Sequence, residues 1–448
     1  MKTPLWPAAL VLLTACSPDA RCGLHACDIR ATDCQQTAAA AAACLLGQPP
    51  QQIPIALVTR SQYIAGEIAA AHAGDVAREQ RRLDALVLLD LADGGVTPEQ
   101  AATSLSDRVA AFYDPAVKKI TIVTDDNSDT PLDGATNMSL LVHESTHALQ
   151  DARGRLAYPP PDGDRSYDRA MAQAALIEGE ASLTESLTTL ALFEHDVAKV
   201  PWEPVFTRLH ALGTRIAAAA PVPIDLAYSY FAYPFGLSTM YRGYAALGPA
   251  GLDAIWASPP VSTRQILLDP GAPELGSPLV EDLGPESVPE LPAEFAFVDG
   301  DRTGAFVFQL FVLRAEQHSR VPLPAGSRAL ALAANLRGDY LSLWNRANAR
   351  PAAVAIWRLR FSSTEQATLA WEHLDRVQRW TASARPALWS PRQQDRDVIL
   401  TAPAADLLAA TATWKAPPPP PAPPAASASA APRAATICPR PLAAPFTN

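Results

Sequence analysis

The sequence is short of what three broad protein classes require. Basic residues do not predominate: 36 Lys and Arg stand against 46 Asp and Glu, and the formal net charge is −10. A protein whose main partner is nucleic acid presents a basic face, so the sequence argues against that class. Charge is sparse at 18 %, while hydrophobic residues reach 48 %. That balance argues for a packed core and against global disorder. No apolar run approaches the roughly 20 residues that span a bilayer as a helix; residues 4–13 are too few, and 301–318 are too short and too punctuated. The acidic turn at 125–129, DDNSD, lacks the Gly and terminal Glu of a calcium loop and reads as a solvated loop. Histidine is scarce too, and His72, His195, His210, His318 and His373 show no ligand spacing.

What is present begins with length: 448 residues suffice for two or three domains. Residues 1–3, MKT, form a short positive segment, and 4–13 an apolar one, the pattern of a signal peptide. Residues 13–16, LTAC, resemble the lipobox of bacterial lipoproteins. The resemblance implies cleavage before Cys16 and acylation of its thiol and amine. Ser17 at the next position resembles outer-membrane sorting. Several acyl chains on one residue anchor stably, because each buried CH₂ contributes about 0.8 kcal/mol. The expectation is an exported protein, lipid-anchored at the outer membrane and facing periplasm or cell surface. Cys22, Cys27, Cys34, Cys44 and Cys438 remain. An oxidising compartment favours disulfides, and the first four cysteines permit three pairings among themselves. A small zinc knuckle of Cys22, His25, Cys27 and Cys34 is the alternative.

The chemistry concentrates in residues 140–151, LLVHESTHALQD. A spacing of four places His143 and His147 one turn apart on one helix face, where their imidazoles converge on one ion. Zn²⁺ is the usual ion for two neutral imidazoles, and a catalytic site adds a third protein ligand and an open position for water. Glu144, beside the first histidine, is placed to take a proton from that water. Apolar neighbours on both sides of the motif predict a buried helix over about 135–152. A second helix starts near Ser166 and carries residues 174–182, AALIEGEAS. Glu178 follows an apolar run and is the candidate third ligand. Glu178 and Glu180 lie about 200° apart around a helix, so both cannot face one metal. Gly179 and Ala181 are small enough to let this helix approach the motif helix closely. Gly in mid-helix costs about 1 kcal/mol relative to Ala and has a packing reason.

HESTHALQD at 143–151 followed by ALIEGEAS at 175–182 resembles gluzincin-type zinc metallopeptidases, above all a set of bacterial and archaeal surface proteins with HExxHALQDQ and a downstream EGDAT. The likeness continues in AFYDP at 111–115, YPFG at 233–236, PVSTRQIL at 260–267, GDY at 338–340 and IWR at 356–358, and so spans roughly 55–412. Two positions depart from the pattern: Ala152 replaces a Gln, and Asp269 stands where a His-Pro pair is common. The resemblance implies that His143, His147 and Glu178 are zinc ligands and Glu144 the general base. It makes Tyr233 a candidate oxyanion donor; as part of an apolar run, Tyr233 reads first as a packing aromatic. Asp151, one turn after His147, is either a hydrogen-bond acceptor behind that ligand or an exposed helix residue.

The expected fold class is α+β, predominantly α-helical. A zincin-like catalytic core, with a small sheet, an edge strand and the HExxH helix, precedes a small C-terminal α+β region. The strand at 117–124 alternates and reads as half-solvated; the likeness to zincin peptidases implies that it is the edge strand to which an extended substrate would add by backbone pairing. The chain divides into a signal peptide (1–15), a Cys-containing segment (16–50), a zincin-like region (51–270), a Pro/Gly/acidic loop (271–300), the C-terminal α+β region (301–412) and a Pro/Ala-rich tail (413–448). The expected activity is zinc-dependent hydrolysis of a peptide or protein substrate, with the membrane reached through the lipid anchor. The rivals are a non-catalytic zinc-containing binding or scaffold lipoprotein, and a zinc hydrolase acting on a non-protein amide.

Overall fold

The computed structural model describes residues 22–73, 80, 83, 86–97, 100, 109–124, 134–157, 164–220, 223–268, 281, 283–284, 291, 295–319, 327–346, 353–382, 389–402 and 436–439. Cys16, the loop at 125–129 and the Pro-rich tract at 417–432 lie outside them. In chain order the N-terminal half comprises α1 (Thr32–Leu46), β1 (Ile55–Thr59), α2 (Arg60–Ala73), β2 (Val109–Asp114), β3 (Lys119–Thr124), α3 (Ala135–Ala152), α4 (Tyr167–Leu192), α5 (Trp202–Ala218), α6 (Pro223–Leu247), α7 (Pro249–Ala257) and α8 (Thr263–Leu267). The C-terminal half comprises β4 (Phe295–Asp301), α9 (Gly304–Ser319), α10 (Ala329–Ala334), β5 (Leu336–Arg346), β6 (Ala353–Phe361), α11 (Thr364–Ala382), β7 (Ser390–Gln394), β8 (Asp397–Ala402) and β9 (Thr436–Pro439). The fold is α+β, mostly helical, with two small sheets.

Local signals set several helix ends. Ser166 caps α4 by accepting from Arg169 N–H. Thr97 Oγ1 accepts from Gln100 N–H while Gln100 Oε1 accepts from Thr97 N–H, a reciprocal pair of hydrogen bonds. Gly47 ends α1 at φ 63°, a left-handed conformation that suits Gly. Of the three cysteine pairings, the chain adopts Cys22–Cys44 and Cys27–Cys34. Those bridges consume the sulfurs a zinc knuckle would need, so that alternative fails. They tie α1 to its own leading segment, and α1 packs against α3 in a core that includes Ala42, Leu46, Leu141 and Leu176.

The first sheet has the order β1-β3-β2-β9. Strand β3 runs parallel to β1 and antiparallel to β2, so it is paired on both sides. This corrects the expectation of a half-solvated edge strand at 117–124: Ile120, Thr121, Ile122 and Val123 are all buried. The alternation of Lys118-Lys119 with isoleucines marked only the strand's first turn into solvent. The second sheet is antiparallel, in the order β4-β5-β6-β8-β7. Its first strand falls almost wholly within the stretch expected as a loop, 271–300; it pairs antiparallel with β5 across a register shift between Phe297 and Asp299. Helices α9 and α11 cover this sheet through Phe308, Phe311, Trp357, Phe361 and Leu374. A third cluster, with Phe231, Phe235 and Phe306, joins α6 to α9 and so links the two halves.

Candidate metal centre

Helix α3 is buried along residues 138–150, polar side chains included. Two of those polar groups are satisfied within the helix: Ser145 Oγ donates to Leu141 O and Thr146 Oγ1 to Val142 O. Thr146 also meets Thr184 Oγ1 at 2.7 Å, which fixes α3 against α4. The two histidines face α4. Their rings lie 4.9 Å apart, centroid to centroid.

Glu178 comes from α4 to complete a group. Its Oε2 lies 3.4 Å from His143 Nε2 and 3.5 Å from His147 Nε2. These spacings exceed an ordinary hydrogen bond. They match donors around one ion: tetrahedral ligands at about 2.05 Å from zinc stand about 3.3 Å apart. His143, His147 and Glu178 are fully buried, and among the described residues they are the group able to hold a metal ion. Burial opposes the charge on Glu178, but His147 and His143 outweigh it and hold its carboxyl down at about 2. Glu178 is therefore an ionised carboxylate, the form that binds a metal. Glu144 is also fully buried and stands outside the three-member group.

The opposite ring nitrogens are engaged too. His143 Nδ1 lies 2.9 Å from Glu185 Oε2. His147 Nδ1 lies 2.8 Å from Gln150 Oε1. The sequence reading missed both partners, although each had a signal. Glu185 is seven residues after Glu178, two turns along the same face of α4, and Gln150 is one turn after His147. Asp151, read from the sequence as either an acceptor behind His147 or an exposed helix residue, accepts from Tyr113 Oη at 2.8 Å and so ties α3 to β2.

Glu180 is buried as completely as Glu178, on another side of α4. It pairs with Arg155 Nη1 at 2.7 Å and accepts from Gln150 Nε2 at 3.0 Å and Trp256 Nε1 at 3.1 Å. Between the two glutamates, Gly179 touches α6 rather than the motif helix. A Cβ there would lie 2.3 Å from the carbonyl carbon of Gly236, and a Cβ on Gly236 would lie 2.0 Å from Ala175 O. This crossing brings Tyr233, one turn before Gly236, beside the site. Its ring stacks on His143 at 6.0 Å and 19°. Tyr233 thus has a packing contact with His143.

No protein-family model, curated protein or solved structure matches the chain. The likeness to gluzincin-type peptidases therefore stands on the motifs themselves.

Proposed function

We propose that this chain is a zinc-dependent hydrolase of the metallopeptidase class, with a zincin-like core, exported and held at the outer membrane by acylation of Cys16. The observation that carries the reading is the make-up of the centre: three donors, His143, His147 and Glu178, and beside them a buried carboxylate, Glu144, outside the donor group. A closed structural zinc site has four protein ligands, whereas a catalytic one has three and a water. Two disulfides near the N-terminus suit an oxidising compartment.

In this reading His143, His147 and Glu178 would hold zinc, which would supply Lewis acidity and lower the pKa of water. Glu144 receives a proton from the attacking water at a carboxylate oxygen and delivers it to the departing amine. Glu185 and Gln150 keep the two imidazoles turned toward the ion. Tyr233 is the candidate O–H donor to the carbonyl oxygen under attack.

The complete burial of His143, Glu144, His147 and Glu178, all 0 % exposed, favours a second reading: a non-catalytic zinc lipoprotein. One comparison separates the two. Wild type and Glu144→Gln are assayed for zinc content and for cleavage of a peptide library. The hydrolase reading expects about one zinc in each, by the three-ligand argument, and cleavage by wild type alone. Cleavage that survives in Glu144→Gln refutes its role as base. Zinc in both with cleavage by neither supports the second reading. Mass spectrometry of the native N-terminal peptide tests the anchor, and an unmodified Cys16 rejects it.

A further inference from the structure

The geometry points to Gln150 as a positioning residue that fixes the tautomer of His147, with Glu180 acting through it. The inference rests on the metal-centre reading above and adds a second layer behind one ligand.

A glutamine amide can face either way, and its partners decide the orientation. Gln150 Nε2 lies 2.9 Å from Ile177 O and 3.0 Å from Glu180 Oε2. Both are acceptors without a proton to give, so the NH₂ group must face them. The amide oxygen is thereby directed at His147 Nδ1, 2.8 Å away. An amide oxygen only accepts, so Nδ1 carries the proton; in the neutral ring the lone pair is then on Nε2. Nε2 is the nitrogen that lies 3.5 Å from Glu178 Oε2, and a metal requires that lone pair. The neutral imidazole is thus set in its metal-binding tautomer by hydrogen bonds alone.

Glu180 is what makes the arrangement one-way. Arg155 Nη1 at 2.7 Å and Trp256 Nε1 at 3.1 Å hold its carboxylate. Arg155 also lies over the Trp256 ring, 4.9 Å from its centroid. Arg155 follows α3 directly and Trp256 belongs to α7, so segments outside the centre reach His147 through two side chains. At His143 the corresponding work is done by a carboxylate, Glu185. The two ligands are therefore oriented by different chemistries.

The test reads the imidazole directly. Long-range ¹H–¹⁵N correlation spectra of the metal-free protein report which ring nitrogen of His147 is protonated. Competition with a chelating dye reports zinc affinity, and thermal melting of the metal-free protein reports the fold. Wild type should show Nδ1–H at His147. Gln150→Met should give a mixture of tautomers and a zinc affinity lower by roughly 10–100-fold, the usual loss when a ligand's hydrogen-bond partner goes. Gln150→Glu sets a carboxylate against both Ile177 O and Glu180 and should also lose affinity. Simple packing at this position does not predict a change of tautomer. An unchanged tautomer and affinity in Gln150→Met overturns the inference. If Gln150→Met does not fold, Glu180→Gln is read by the same spectra, with a smaller loss expected. Wild type that binds no zinc refutes the metal reading instead, and the metal-free spectra still judge the tautomer.

Discussion

The contact between Gly179 and Gly236 gives a substitution whose local and tertiary effects have opposite signs. Gly179 lies in the middle of α4, where Ala is the better helix former by about 1 kcal/mol. Secondary structure alone therefore predicts that Gly179→Ala stabilises the protein. The packing predicts otherwise. The new Cβ would sit 2.3 Å from Gly236 C, 2.4 Å from its O and 2.7 Å from its Cα, against 3.4–4 Å for ordinary contact. These are backbone atoms, so no side chain can turn aside and the helices must part by about 1 Å. Overpacking of this kind costs about 1–3 kcal/mol, and a backbone clash belongs at the upper end. The net expectation is a loss of about 2 kcal/mol, after subtracting the propensity gain. Urea denaturation of the metal-free protein measures it. Gly66, on α2, is the control: a Cβ there meets nothing within 4 Å, so Gly66→Ala should gain up to about 1 kcal/mol. The parting of α4 from α6 also shifts Glu178, next in sequence to Gly179, relative to histidine nitrogens spaced at 3.4 and 3.5 Å. Zinc affinity should fall with stability. If Gly179→Ala is as stabilising as Gly66→Ala, the close crossing is refuted.

Two further outcomes test groups around the centre and away from it. Glu185→Ala should leave folding intact and lower zinc affinity roughly 10–100-fold, because it removes the acceptor of His143 Nδ1; an unchanged affinity in dye competition would rule Glu185 out as its orienting group. Asp168 is buried at the start of α4, where burial pushes its carboxyl up to about 7, helped by Asp339 and opposed by hydrogen bonds from Thr263. Its folded pKa lies above the unfolded 3.8, so the folded state binds the extra proton between those values. Stability from this group is whole below about pH 4 and declines as pH rises toward 7, by about 1.4 kcal/mol per unit at most. Asp168→Asn keeps an oxygen for Thr263 and should flatten that decline; urea midpoints that show the same slope for both proteins from pH 4.5 to 7.5 would reject the assignment.

Much of the site could be read from the sequence because its signals are local. The bounds of α3 follow from one apolar run with a polar insert, and they were expected at 135–152, where the helix lies. The convergence of His143 and His147 needs only the helical period. Glu178 was legible because an apolar run precedes it. What could not be read depends on which element meets which. Nothing local in 117–124 tells that β1 pairs along one side of β3 and β2 along the other. Gln150 and Asp151 both follow His147 at about one turn, and the helical period alone does not choose between them: Asp151 accepts from Tyr113 and the Gln150 amide faces His147. The choice is made by Ile177 and Glu180, which arrive from another helix.

The three residues Glu178-Gly179-Glu180 show why composition alone understated this segment. Successive residues on a helix point about 100° apart, so each meets a different neighbour. Glu178 faces the two imidazoles, Gly179 the backbone of α6, and Glu180 the Gln150, Arg155 and Trp256 side chains. A buried carboxylate is tolerable only when paired or hydrogen-bonded, and these two find partners of different kinds. Gly179 supplies the close approach that holds the helix in place while both glutamates stay dry. It also brings α6 near enough for Tyr233 to stack on His143. Replacing the middle residue therefore perturbs both carboxylates and the aromatic contact together, although Gly179 itself touches neither histidine. Glu178 supplies the third donor, Glu180 sets the orientation of the second histidine, and the glycine between them determines whether the two can do so at once.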